Sequence, residues 1–203
     1  MKATVAILAL LLAACGGGGG SGDQSLPVHY VVADFQAVED FLENPYVQEM
    51  LARGAIQVHN GSTPPLLEGE YEVHETVFID DLPGNLTGPV APYNMVMYDQ
   101  SGDRITVDDG SVVEPLLTGS GTGFTLWFVV SSDVDGCAIV EVDVLSGTVL
   151  PNGDLDIRFG AVIVGASGAG CGAIAGLVSG GSVDAMRGIA VVSEGDALFL
   201  GPP

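Results

Sequence analysis

The chain has 203 residues and carries 26 acidic side chains against five basic ones, a formal net charge of -21 at pH 7. A surface this acidic repels nucleic-acid phosphates and anionic lipid headgroups, so we expect no nucleic-acid partner. The length suits one domain with a sizeable hydrophobic core.

The N-terminus has the three parts of a secretory signal. Lys2 precedes an apolar run over 3–12, and small residues follow it. The run is too short to cross a bilayer as a mature helix, which predicts a cleaved signal peptide over 1–14. An ordinary signal requires no particular residue after the cut, whereas this cut is followed by Cys15.

The order Leu12-Ala13-Ala14-Cys15 resembles the lipobox of bacterial lipoproteins. The resemblance implies that Cys15 receives a diacylglycerol on its sulfur and that its new amine is acylated after cleavage. Several acyl chains anchor a protein almost permanently, since each buried methylene adds about 0.8 kcal/mol. In such lipoproteins an Asp after the Cys commonly retains the protein at the inner membrane. Gly16 stands there, which points to the outer membrane of the bacterial envelope, and a plain signal peptide is the alternative.

Composition divides the rest of the chain. The lipidated cysteine and a glycine-rich stretch, 15–25, are predicted to form a flexible tether. A single β-rich domain then spans 26–203, with a helical lead-in over 26–60 and a barrel over 66–200. In an exported domain, two remaining thiols predict a disulfide between Cys137 and Cys171. It would stabilise the fold by roughly 3–4 kcal/mol in the chain-entropy model, and two separate buried thiols are the alternative.

Two short helices are predicted at the start of the domain. Asp34 has the chemistry of an N-cap for a helix over 35–43. Asn44-Pro45 begins a second helix, which Gly54 ends. We expect both helices to serve as packing elements.

From Gly69 onward the apolar period becomes two, which indicates β-strands. Strands are predicted over 70–79, 93–99, 104–107, 111–117, 123–131, 138–149, 155–163, 172–178 and 187–200, the last with a turn near Glu194-Gly195. The run 123–131 is apolar on both faces, so we expect the helices to cover its outer side.

Alternation also predicts which side chains point inward. Over 138–149 it predicts the valines Val140, Val142 and Val144 inside the sheet and the carboxylates Glu141 and Asp143 outside. Over 155–163 it places Leu155, Ile157, Phe159 and Ile163 inward, with Asp156 and Arg158 outward.

About eight strands joined by hairpin-sized turns predict a mainly β fold, an antiparallel up-and-down β-barrel, with a β-sandwich as the alternative. The segment 64–71, which ends Gly69-Glu70-Tyr71, is similar to the Gly-x-aromatic start of the first strand in lipocalin-like and avidin-like barrels. There the usual aromatic is Trp. The resemblance implies that a helix, here 44–53, closes one end of the barrel and that the lumen holds one small apolar molecule.

Six residues are candidates for lining that lumen. They are Tyr71, Glu75, Val77, Val142, Ile157 and Phe159. Glu75 is unusual because it shares a face with Tyr71 and Val77. Either a β-bulge turns it outward, or a carboxylate lies inside the barrel, where its surroundings would raise its pKa and make it the polar contact for a ligand.

No cofactor, metal centre or enzymatic activity is expected. The histidines are far apart, the Asp-rich turns lack EF-hand spacing, and no serine stands in Gly-x-Ser-x-Gly. The charge-free run 159–183 is predicted as a hairpin with a glycine loop, and a transmembrane helix is the alternative. The predicted function is therefore a non-enzymatic, membrane-anchored envelope lipoprotein. Its barrel would bind a small apolar ligand or act as an interaction module; the alternative is a structural or protein-binding domain with a side-chain-filled core.

Overall fold

The structure is a computed structural model that describes residues 28–31, 35–79, 88–89, 91–110, 112–134, 136–171 and 192–200. The signal, Cys15, the tether, Asp34 and the predicted strand 172–178 lie outside these residues. The helices are α1 (Phe35–Glu43) and α2 (Pro45–Arg53). The strands are β1 (Val28–Val31), β2 (Ser62–Thr63), β3 (Gly69–Ile79), β4 (Gly88–Pro89), β5 (Tyr93–Ser101), β6 (Arg104–Asp108), β7 (Val112–Val113), β8 (Leu116–Ser120), β9 (Gly123–Val134), β10 (Cys137–Val149), β11 (Leu155–Ser167) and β12 (Val192–Leu200).

Eight strands form an antiparallel ring, in the order β3, β5, β6, β8, β9, β10, β11 and β12, and β12 pairs back with β3. The order around the ring is the order along the chain, so the fold is an up-and-down barrel and the predicted fold class is confirmed. The seam between β6 and β8 is the narrowest, with one register pair between Arg104 and Leu116.

Two details of the strand prediction were wrong. The predicted strand 111–117 divides into β7 and β8 around Pro115, because proline has no N–H to donate to a ladder. Glu194 and Gly195 lie within β12, where the pairing with β3 shifts register, and do not form a turn. No helix in the described ranges is long and apolar enough to span a membrane, and the first part of the run 159–183 belongs to β11.

The inner face of the barrel carries one apolar cluster. It contains Leu67, Tyr71, Val73, Met95, Met97, Ile105, Val107, Val113, Leu117, Phe124, Leu126, Leu145, Leu155, Ile157, Phe159 and Phe199. Leu67, Phe124, Leu126 and Leu155 each have 0% relative accessibility. Since a gap the size of a water molecule would leave them with accessible surface, side chains fill this part of the lumen.

The helices cover the outer face of the wall. Val47 and Met50 of α2 share a second cluster with Trp127 and Val129 of β9, so the predicted outer cover over 123–131 is confirmed. Asn44 caps α2 by accepting a hydrogen bond from the Tyr46 N–H at 2.9 Å, as its sequence predicts. The prediction that 44–53 closes an end of the barrel was wrong, because its apolar stripe packs against the wall.

The predicted faces of β10 were also reversed. Val142 and Val144 pack in the outer cluster beneath the helices, while Glu141 and Asp143 occupy the inner face. The outer side of β10 lies under the helices and needs apolar side chains there. Because the side-chain period of a strand is two, the intervening carboxyl groups must then point inward. Val142 is therefore not a lumen residue.

Between α2 and β2 the chain crosses the outer face and is held there by three hydroxyl groups. The Thr118 hydroxyl donates to the His59 carbonyl at 2.9 Å, and the His59 N–H donates to Thr125 Oγ1 at 2.8 Å. Ser146 Oγ lies 2.7 Å from Thr125 Oγ1 and donates to the Gln57 carbonyl at 2.6 Å. These bonds satisfy backbone groups that no strand pairs.

A disulfide joins Cys137, the first residue of β10, to Cys171, which follows β11, with their Cα atoms 4.6 Å apart. Both cysteines are fully buried. The predicted pairing is confirmed, and the bond ties the chain beyond β11 to the start of β10.

We expect Ser146→Ala to lower the free energy of unfolding by about 1–2 kcal/mol, because the Gln57 carbonyl and the Thr125 hydroxyl would lose a buried partner. Urea unfolding at equilibrium measures this change. Ser167→Ala, at the exposed end of β11, is the matched control and should change stability by less than about 0.5 kcal/mol. Equal losses in both variants would show that the hydroxyl chain does not fasten this segment.

Candidate functional site

Three buried carboxyl groups lie on the inner face toward one end of the barrel. Glu75 is in the second half of β3, whereas Glu141 and Asp143 are in the first half of β10. In the antiparallel barrel these two strands point in opposite directions along the barrel axis, so the second half of β3 and the first half of β10 lie at the same end. We call this region the acidic end and define it by Glu75, Glu141 and Asp143.

Glu75 lies inside the barrel. It continues the inner alternation of Tyr71 and Val73, has 4% relative accessibility, and pairs in unbroken register with Ala197 of β12. The register shift on this ladder comes only after Glu75, opposite Glu194 and Gly195, so the bulge interpretation was wrong.

Glu75 has a hydrogen-bond partner. The Tyr93 hydroxyl, at the start of β5, donates to Glu75 Oε2 at 3.2 Å. Burial raises the pKa of Glu75, and this hydrogen bond offsets part of the rise. Burial and the neighbouring Glu75 carboxyl raise the pKa of Tyr93, so the tyrosine stays protonated and remains a donor.

Asp143 and Glu141 occupy successive inner positions of β10 in apolar surroundings. The register partners of Asp143 are Phe128 on β9 and Ala161 on β11, and Glu141 lies opposite Ile163. Glu141 has 1% relative accessibility and Asp143 has 6%. Both side chains are thus withdrawn from solvent on the inner side of the wall.

This pair lacks the partners that buried charges usually have. Glu141 Oε1 and Asp143 Oδ1 make no hydrogen bond with any described residue. Burial raises the pKa of both groups, and the charge of Asp143 raises the pKa of Glu141 further. Such a pair is suited to a group that donates hydrogen bonds and carries positive charge.

Apolar side chains lie next to this pair on the inner face. Leu145 is the next inner residue of β10 after Asp143 and is the register partner of Phe159, and Ile157 follows on the same face of β11. We call Leu145, Ile157 and Phe159 the apolar floor of the acidic end. The predicted lumen residues Ile157 and Phe159 therefore lie beside the carboxyl pair.

The other predicted lumen residues have different positions. Tyr71 is inside but deeper, where its hydroxyl donates to the Leu67 carbonyl at 2.9 Å and its ring lies 6.0 Å from that of Phe199. The side chain of Val77 lies outside the described part of the chain. Val142 belongs to the outer cluster, so the structure gathers four of the six candidates on the inner face.

Alternation alone missed Asp143, Glu141 and Tyr93. The sequence did contain a sign of the first two, because β9 is apolar on both faces and β10 lies beside it. Covering the outer side of β9 with helices also covers part of β10, which assigns its valines to the outside. Tyr93 is the partner of Val73 across the β3–β5 ladder, a register that the sequence does not specify.

Among the described residues, no three His, Cys, Asp or Glu side chains converge in a way that could hold a metal ion. Two aspartates of the Asp-rich turns accept hydrogen bonds within their own turns. Asp108 accepts from the Gly110 N–H at 2.9 Å, and Asp154 Oδ2 accepts from the Asn152 side-chain amide at 2.6 Å.

No family model matches the chain, and neither a curated protein nor a solved structure matches it. The function is therefore argued from the geometry of the site.

We expect the stability of the protein to fall as pH rises from about 4 to about 8. Burial raises the pKa of Asp143 from 3.8 to about 7, so folding takes up a proton between these two values. A pKa that differs by one between the folded and unfolded chains corresponds to about 1.4 kcal/mol in the free energy of unfolding. Asp143→Asn lacks the titrating group, so it should gain stability relative to the wild type as pH rises, by roughly 1–4 kcal/mol between pH 4 and pH 8.

Urea unfolding across this pH range measures the difference. Asp156→Asn is the control, since Asp156 is an exposed carboxylate on the outer face of β11. Parallel curves for the wild type and Asp143→Asn would show that Asp143 does not titrate as a buried group.

Proposed function

We propose that the protein is a non-enzymatic, lipid-anchored envelope lipoprotein whose barrel binds one small amphiphilic molecule at the acidic end. The observation that carries the proposal is the pair of unpartnered, buried carboxyl oxygens of Glu141 and Asp143, next to the apolar floor. A buried polar atom without a partner costs about 1–3 kcal/mol, and more when it is charged. A ligand that supplies donors to these oxygens recovers that free energy.

The packing of the lumen limits where such a ligand binds. Side chains fill the part of the barrel around Leu67, Phe124 and Leu155, which have no accessible surface. At the acidic end, by contrast, Phe128 and Tyr93 are only half-buried. The ligand therefore binds at this end, with its apolar part toward the floor and its polar part at the carboxyl groups.

The proposed lipid anchor at Cys15 is consistent with a ligand site at the acidic end. β1 pairs with the last part of β9, where Val28 lies opposite Ser132, so the folded domain begins at the acidic end. Twelve residues lie between Cys15 and Val28, so their Cα atoms are thirteen steps apart along the chain. A chain of that length extends at most about 45 Å, at about 3.5 Å per residue. With Cys15 lipidated, the acidic end stays within that distance of the membrane surface.

A structural or protein-binding domain with a filled core is the second candidate. The observation in its favour is the filled part of the lumen, because side chains occupy the place where a lipocalin-like barrel would hold a ligand. In that case the strongly acidic outer surface would carry the function. The two candidates differ in whether a small molecule accompanies the purified protein.

The ligand is tested by native mass spectrometry of the mature protein, purified from its own host in mild detergent without added lipid. We expect an extra mass that leaves on denaturation, while the acyl chains on Cys15 remain because they are covalent. Without an extra mass, and with no thermal shift from an extract of host small molecules, ligand binding would be refuted and the filled-core candidate favoured.

The anchor is tested by Cys15→Ala in the host. We expect the protein to leave the membrane fraction and to lose incorporation of labelled fatty acid, because the attachment atom is gone. Gly16→Ser is the control, since it changes the neighbouring residue and keeps the thiol. Unchanged membrane association of Cys15→Ala would exclude the lipid anchor.

A further inference from the structure

We propose that Glu141 and Asp143 form a binding site for an organic cation, a primary ammonium group carried on an apolar body. This inference rests on the proposed function, because it names the ligand class that the acidic end recognises. It depends on the missing hydrogen-bond donors of the two carboxyl groups, on the charge of the whole chain, and on the side chains around the pair.

The hydrogen-bonding capacity of the pair selects the polar group. Once ionised, as in a complex with a cation, a carboxylate only accepts hydrogen bonds, and Glu141 Oε1 and Asp143 Oδ1 have no donor among the described residues. A primary ammonium offers three donors and a positive charge on one small atom, so it can contact both carboxyl groups together. A hydroxyl offers one donor and no charge, and an anion would be repelled.

The small number of protein ligands at the pair disfavours a metal ion. Hard cations require several oxygen ligands arranged around one point, and the described residues contain no such group of three. Glu75, the third carboxyl that defines the acidic end, is already engaged by the Tyr93 hydroxyl. A cation that brings its own hydrogen-bond donors needs fewer protein ligands than a bare metal ion.

The charge and shape of the site agree with an amphiphilic cation. The chain has a formal net charge of -21, which attracts cations toward the barrel and opposes the approach of anions. Phe128, the register partner of Asp143, is half-buried and therefore offers aromatic surface beside the carboxyl pair. The apolar part of the ligand can pack on this ring.

Protonation gives the site a measurable property. Among described residues, β9 and β11 present the apolar Phe128, Ala161 and Ile163 to the pair. Among the described side chains, the titratable groups at this end are the two members of the pair, Glu75 with Tyr93 elsewhere on the inner face, and Asp109, whose charge also raises the pKa of Tyr93. Burial raises the pKa of both members of the pair, that of Asp143 to about 7, so Asp143 holds a proton at pH values below this. Binding of an ammonium group then expels a proton into solution.

The test is isothermal titration calorimetry of the mature protein in detergent, freed of endogenous ligand, with benzylamine as the probe and benzyl alcohol as its uncharged analogue. We expect benzylamine to bind at least about tenfold more tightly, since charge-assisted hydrogen bonds are stronger than neutral ones. In buffers of different ionisation enthalpy at pH 6, the benzylamine titration should show net proton release.

The variants locate the site. Asp143→Asn should remove the preference for benzylamine and the proton release, whereas Asp156→Asn, on the exposed outer face, should retain both. If Asp143→Asn does not fold, as judged by circular dichroism, Glu141→Gln takes its place. If neither variant folds, proton release by the wild-type protein decides the question.

Equal affinities for the two probes, or benzylamine binding without proton release, would overturn the inference. If mass spectrometry then still shows a bound neutral molecule, the proposed carrier function stands and only the ligand class is wrong. If no molecule is found and neither probe binds, both the carrier function and the cation site are refuted.

Discussion

The structure depends on the burial of β9 and β10 from both sides. Trp127 and Val129 on the outer face require a cover, and Val47 and Met50 of the helices supply it. This cover extends over β10, so its valines face the helices and its carboxyl groups face the lumen. The acidic end is therefore a consequence of outer packing. The helices, which cover the opposite side of the wall, determine the direction in which the carboxyl groups point.

The inner face has two parts with different chemistry. Around Phe124, Leu126 and Leu155 the side chains leave no space for water, so this part acts as an ordinary hydrophobic core. At the acidic end the same barrel encloses carboxyl groups, one of which has a tyrosine partner while two do not. The disulfide between Cys137 and Cys171 strengthens the strand ends where those groups lie.

Much of the fold could be predicted because each prediction rested on a local rule. Asn44-Pro45 begins a helix by capping chemistry, and strict alternation in 155–163 marks a strand. The faces of β10 could not be predicted in this way. Alternation gives the period of a strand, but it does not say which face meets the core when both faces are buried. For Val142 and Asp143 the answer depended on which strand lies beneath the helices, a long-range contact that no local pattern encodes.

The unpartnered pair is the observation that favours the proposed binding site over the proposed structural core. If filling the lumen were the only requirement, apolar residues at Glu141 and Asp143 would serve it better, because replacing buried charges with well-packed apolar groups is often neutral or stabilising. Glu75 does not favour either candidate, because it accepts a hydrogen bond from the Tyr93 hydroxyl, as a buried carboxyl in a purely structural core would. The free oxygens lie beside the half-buried ring of Phe128, where a ligand has both polar and apolar surface to contact. For this reason we favour the proposed recognition role over packing alone for a polar pair that is unsatisfied next to a half-buried aromatic ring.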